Sequence, residues 1–209
     1  SLNLESGRSQ AIFGDQEPGS GIYPREVLIE AKPFDDYVTL QGGLIQQRFF
    51  NEPLFVSRLP FLGFSQKLGI TKKRYEVALR TQQLIPTSYT LGTRVTEREN
   101  VPFFYTESLE GVFHPIRYNF LRGRLTHFRY QDLPSIVAFD SFIFGNTVTN
   151  TDVNNAQFIY GFEGWLTTLT FEQKITEAFS FQVNWNTIVN NQAPSNAGEA
   201  QSIGGGIAY

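Results

Sequence analysis

At 209 residues the chain suits one domain, or one barrel, rather than two. A net charge of −3, from 17 basic and 20 acidic residues, leaves no positive excess for a phosphate backbone and argues against a nucleic-acid partner. With no cysteine there are no disulfides, thiolate metal sites or cysteine nucleophiles, and His114 and His127 alone leave little for a metal centre, so no cofactor is expected.

Charged residues make up 18%, below the roughly 25% of an average soluble domain. Phe, Tyr and Trp number 20, 9 and 2. This mixture is too aromatic for disorder and, with its many amides and hydroxyls, too polar for a bundle of membrane helices. The longest uncharged stretch, Ala178–Gly198, carries six Asn or Gln residues from Asn184 to Asn196 and is no helical span. A membrane crossing would have to be made by a closed barrel. The chain holds no Met, whereas an intact translation product begins with one, so processing or trimming is expected, with removal of a secretory leader as one route.

Taken in order, ten strands are predicted: roughly 2–13, 22–32, 37–46, 62–70, 74–85, 103–113, 118–130, 158–173, 179–189 and 201–209. The signal is period two. Val38, Leu40, Gly42 and Leu44 alternate with Thr39, Gln41 and Gly43. Leu62, Phe64, Leu68 and Ile70 share one parity, with Ser65 and Lys67 on the other. Tyr75, Val77 and Leu79 alternate with Arg74, Glu76 and Arg80, and Leu121, Gly123 and Leu125 with Arg122, Arg124 and Thr126. Phe179, Phe181, Val183 and Trp185 alternate with Ser180, Gln182, Asn184 and Asn186. The phase of 158–171 is ambiguous, since Glu163 and Trp165 share a parity and a bulge would shift it. Alternation fits a soluble sheet with its apolar face inward and a membrane barrel with its apolar face outward equally well.

The links add a second signal. Short links fall at Pro33–Asp36, near Thr71–Lys73, at His114–Arg117 and at Thr176–Ala178. Longer ones fall at Gly14–Gly21, Gln47–Phe61, Pro86–Pro102, Gln131–Gln157 and Asn190–Ala200. Short and long alternate, as in outer-membrane barrels with tight periplasmic turns and long outer loops. The fold expected is all-β: an antiparallel up-and-down transmembrane β-barrel of about ten strands, or twelve if the natural chain is longer, occupying 1–209 as one domain. The link at about 131–157 is apolar at Leu133, Ile136, Val137, Phe139, Phe142, Ile143 and Phe144. It is expected to fold inward as a plug or to bind a partner, unless Ile136–Phe144 forms a further strand.

The chain ends Ser202-Ile203-Gly204-Gly205-Gly206-Ile207-Ala208-Tyr209. Ser202, Gly204, Ile207 and Tyr209 resemble the terminal strand signal of bacterial outer-membrane proteins, with Tyr in place of the usual Phe. In style the rest of the chain resembles Gram-negative barrels of porin-like type. The resemblance implies an outer-membrane location, with lipid bilayer, lipopolysaccharide and the barrel-assembly machinery as partners, and oligomerisation or a partner outer-membrane protein as a further possibility.

Charges on the polar parity would face the lumen: Glu5, Glu30, Lys32, Lys67, Arg74, Glu76, Arg80, Glu110, Arg122, Arg124 and Glu163. In a barrel near the size that side chains fill, these form an internal ion-pair network or line a narrow constriction. Aromatics are expected in two girdles: Phe61, Phe103, Phe104, Phe128, Tyr130 and others at the long-link ends, and Tyr37, Tyr75, Phe113, Phe179 and Tyr209 at the short-turn ends. Catalysis would need His127 as base, with Asp132 or Asp140 beside it, and no nucleophile motif accompanies it. The chain is therefore read as a non-enzymatic, porin-like barrel with a narrow or plugged lumen, serving small-solute passage or a structural role. The alternatives are a surface receptor or adhesin working through its long loops, and a soluble lipocalin-like barrel.

Overall fold

A computed structural model describes residues 2–8, 20–35, 37–46, 60–86, 100–115, 119–142, 147–150, 152–175, 179–193 and 199–208, with residues 2–8, 20–26, 46, 60, 140 and 199–208 described as backbone. The strands are β1 (Leu2–Arg8), β2 (Ser20–Ala31), β3 (Val38–Gln46), β4 (Pro60–Thr71), β5 (Tyr75–Ile85), β6 (Phe103–Phe113), β7 (Asn119–Gln131), β8 (Glu163–Lys174), β9 (Ser180–Asn190) and β10 (Glu199–Ala208). The single helix among the described residues, α1, spans Ser135–Phe142.

All strands lie in one antiparallel sheet in chain order. This is the all-β, up-and-down arrangement expected from the period-two segments and the alternating links. Each strand pairs with its neighbours in sequence, and among the described residues no ladder joins β1 to β10, so the sheet is not closed. Because the strands run up and down, the connections 32–37, 72–74, 114–118 and 175–179 fall at one end. The intervals 9–19, 47–59, 86–102, 132–162 and 191–198 fall at the other.

One face of the sheet is buried although no second sheet covers it and the only described helix has eight residues. Along β5 the even residues Ala78, Arg80, Gln82 and Leu84 are buried while Val77 and Leu79 are each 47% exposed. A single sheet buries one face in this way by curling round it. Two facing glycines help the bend. Gly43 pairs with Gly63 across β3 and β4 on the inner face, and Gly43 has a φ of 128°. A Cβ at Gly43 would run into the Val27 carbonyl oxygen. Gly43→Ala is therefore expected to destabilise the fold by about 2–4 kcal/mol, from left-handed strain plus a clash with rigid backbone. Gly42→Ala, whose Cβ would meet only the Phe64 ring, is expected to cost under about 1 kcal/mol. Denaturant titration of the two variants separates them.

The 131–157 region differs from expectation. Of Ile136–Phe144, weighed as a further strand, the described part Ile136–Phe142 lies in α1 instead. The Pro134 carbonyl accepts from the Val137 and Ala138 amides at 3.0 and 3.3 Å. Ile136 and Ala138 are buried, and that packing overrides the strand preference of Ile136 and Val137. Beyond it, residues 147–150 and 152–159 face each other as two short arms, bridged at Val148 and Phe158. The start of β8 at Glu163, not near 158, follows from that pairing.

Candidate functional site: a polar interior within an apolar exterior

The inner face is built in layers because cross-strand partners share a side. Nearest the short turns is an ionic layer. Arg80 Nε donates to Glu110 Oε1 at 2.9 Å, and Arg124 Nε lies 3.3 Å from the same oxygen. The three side chains are only 7, 13 and 7% exposed. They meet because Glu110 pairs with Arg124 across β6 and β7, while Arg80 comes from β5 one register step away. Arg80 Nη1 also donates to Ser65 Oγ at 3.4 Å. Towards β4, Lys67 Nζ donates to Glu76 Oε1 at 2.5 Å. At the β2–β3 side, Gln41 Nε2 donates to Glu30 Oε2 at 2.8 Å and Lys32 lies 3.7 Å from Glu30.

A layer of hydroxyls and amides follows. Thr106 Oγ1 donates to Gln82 Oε1 at 3.1 Å, and Ser108 Oγ and Thr126 Oγ1 are 2.9 Å apart. All four side chains are essentially fully buried. Burial of this many polar groups is tolerable because they bond to one another.

The third layer is apolar: Ile45, Phe61, Leu84, Phe104, Phe128 and Leu166 pack together. From it a chain of ring contacts leads into the long connection. Phe61 meets Phe104 edge-on at 5.6 Å, Phe104 stacks on Tyr130 at 4.4 Å, Tyr130 meets Phe162 at 6.5 Å, and Phe162 meets Phe158 at 4.8 Å. The Tyr130 amide donates to the Phe162 carbonyl at 2.8 Å, which fixes the join. Phe61, Phe104, Phe128 and Tyr130 therefore belong to the interior and not to an outer girdle. Phe104 shares its parity with Thr106, Ser108 and Glu110, and that sequence signal was enough to find it.

Of the charges expected inside, the sheet brings together Lys67 with Glu76, Arg80 with Glu110 and Arg124, and Glu30 with Lys32. Three are placed otherwise. Arg74 is exposed in the β4–β5 turn. Arg122 has inner parity but is exposed at the rim, its guanidinium 5.1 Å from the Phe120 ring centre. Glu163 is on the opposite face, with Trp165. There Glu163 Oε1 lies 3.4 Å from His127 Nε2, and Glu163 Oε2 lies 3.7 Å from Arg129 Nε. The phase of 158–171, ambiguous in the sequence, is fixed here with Glu163 on the outer parity, opposite Arg129. Glu5 lies on β1, described as backbone. Ser202, Gly204 and Ile207 lie on β10, where their backbones pair with Asn186, Asn184 and Phe181, and Tyr209 lies outside the described residues.

The outer face reverses the usual chemistry. Leu62, Phe64, Leu68, Ile70, Val77, Leu79, Leu109, Leu121, Leu125 and Leu169 are all more than 40% exposed. Exposed aromatics bound this band: Tyr37, Tyr75 and Phe113 at the short-turn end, and Phe103 and Trp165 at the other. On β5–β7 the band ends early. Register places Thr81, Glu107 and His127 above Leu79, Leu109 and Leu125, followed by Gln83, Tyr105 and Arg129. Tyr105 donates to Glu107 at 2.6 Å, and His127 lies 5.1 Å from the Trp165 ring centre.

His127 thus faces outward, paired with Glu163 and not with Asp132. Among the described residues no group of three or more His, Cys, Asp or Glu could hold a metal, and no helix is long and apolar enough to cross a membrane. No family model, no curated protein and no solved structure matches the chain.

Proposed function

We propose that this chain is a bilayer-spanning β-barrel of the bacterial outer-membrane, porin-like type. In the bilayer the β1 and β10 edges, not joined to each other in this structure, would pair to close ten strands around a narrow, largely filled lumen. The observation that carries this reading is the inverted burial. Arg80, Gln82, Thr106, Ser108, Thr126 and Arg124 are buried, while Leu79, Leu109 and Leu125 on the same strands are exposed. A soluble sheet hides its apolar face, and a monomer in water rarely shows a contiguous apolar patch above a few hundred Å².

The dimensions agree. Leu62 to Ile70 spans roughly 27 Å of strand. A tilt of about 40° lowers that to roughly 21 Å, near the ~25 Å apolar band of such barrels. The polar rim of Glu107, His127, Arg129 and Glu163 falls on the long-loop side, where headgroups and lipopolysaccharide would meet it. The ionic layer and the phenylalanine layer together favour a structural role, or passage of very small solutes, over a wide channel.

The test is direct. The folded chain should leave membranes only with detergent, and unboiled samples should migrate differently from boiled ones on a gel. In planar bilayers it should show no large conductance steps. A monodisperse, detergent-free protein in water would sink the proposal.

A further inference from the structure

We propose that the cleft between the start of α1 and the 152–159 arm is a binding site for a neutral saccharide. The cleft encloses about 270 Å³ and is lined by the polar side chains Asn100, Asp132, Ser135, Asn154, Asn155 and Gln157, over an apolar floor that includes the buried Pro134 and Ala156. That volume lies just under the roughly 300–1,000 Å³ typical of small-molecule pockets and suits one or two sugar rings. It opens on the long-loop end, away from the ionic layer.

The lining selects the ligand class. Among the described lining residues there is no Lys, Arg or His to attract a phosphate, sulfate or carboxylate. Its single carboxylate is too little for a metal site. The walls are mostly polar, which disfavours a lipid tail. What remains is a set of amides, each presenting a donor and an acceptor, together with a hydroxyl and one acceptor-only carboxylate. Sugar hydroxyls donate and accept in the same way. Asn100, Asp132, Asn154 and Gln157 are exposed at the cleft, so a ligand can reach their donors and acceptors.

The walls are also held in place. The Thr149 amide donates to the Gln157 carbonyl at 2.8 Å and the Ile159 amide to the Thr147 carbonyl at 3.1 Å. Asp152 accepts from the Asn154 amide at 3.1 Å and from Asn155 Nδ2 at 3.2 Å, and Asn150 Nδ2 donates to the Asn155 carbonyl at 3.1 Å. On the other wall, burial of Ile136 and Ala138 anchors α1. Preorganised walls reduce the ordering cost of binding. The inference stands whether or not the sheet closes within a bilayer.

The experiment uses the full chain folded in a sugar-free zwitterionic detergent, or in plain buffer if it proves soluble. It is titrated by calorimetry and saturation-transfer NMR with glucose, galactose, mannose, N-acetylglucosamine, maltose and lactose. At least one should bind saturably in the millimolar range or tighter. Asp132→Asn keeps a residue that tolerates the φ of 52° found there and removes only the charge. This variant and Asn154→Ala should each weaken that binding about tenfold or more, the worth of one hydrogen bond to a charged or convergent polar group. Gel migration of unboiled samples should not change in either. Glucuronic acid should bind worse than glucose to the parent and recover in Asp132→Asn. No saturable binding by any of the six sugars, or binding unchanged in both variants, overturns the proposal.

Discussion

Glu110→Ala is expected to destabilise the folded protein by about 3–5 kcal/mol, the usual cost of breaking a buried ion pair by deleting one partner. Arg80 and Arg124 both lean on the Glu110 carboxylate, at 2.9 and 3.3 Å, and both guanidiniums are only 7% exposed. Without Glu110 they repel each other in a setting where water screens them poorly. Glu110→Gln keeps the shape and an acceptor but not the charge, and should fall between the parent and the alanine variant. The combined change of Arg80, Glu110 and Arg124 to leucine removes every charge at once and should cost far less than Glu110→Ala alone. Urea titration in detergent, read by tryptophan fluorescence, compares the four proteins. Equal losses in the alanine and triple variants would show that the three side chains do not act as a unit.

Leu79→Arg is the second large effect, and it tests the environment of the outer face. Leu79 is 47% exposed, between Leu68 on β4 and Leu109 on β6. In water, a substitution at so open a site changes stability by no more than about 0.5 kcal/mol. Within a lipid-facing band the same change costs more, up to about 2–4 kcal/mol at the midplane. Gln83→Arg, two register steps nearer the polar rim, should cost at most about 1 kcal/mol in the bilayer. Folding titrations into vesicles of defined lipid measure both. A small, equal effect at positions 79 and 83 would argue that no lipid contacts this face.

Much of the sheet was legible because period two survives in β3, β4, β5, β7 and β9. A strand with one polar and one apolar face cannot be mistaken for a helix, and the short turns mark its ends. Two things were not legible. The first was α1: Ile136 and Val137 prefer strands, and only the packing of Ile136 and Ala138 makes a helix there. Pro134-Ser135 at its start is a fair helix-start signal. The second was the phase of β8, which decides the side of Glu163. Periodicity alone also left open which face was wet, since that depends on how the sheet curls. The ionic layer was half legible. Parity put Arg80, Glu110 and Arg124 on one face, but only the register between β5, β6 and β7 joins them at one oxygen. The saccharide cleft gave no sequence signal, because its walls come from two connections and from distant parts of one of them.

The strictly sequential strand order has a bearing on how the chain can be altered. Every ladder forms between neighbours, so each hairpin closes over its own connection alone. For a flexible loop, doubling the length adds only about 0.6 kcal/mol of closure cost. Insertions between the strand ends that bound 86–102 or 191–198 should therefore leave every ladder register unchanged. The three-residue turn 72–74 has no such freedom: the Lys72 amide donates to the Tyr75 carbonyl at 2.8 Å, and its length sets the register of β4 against β5. One end of the molecule is thus open to innovation by insertion, and the other is fixed by geometry.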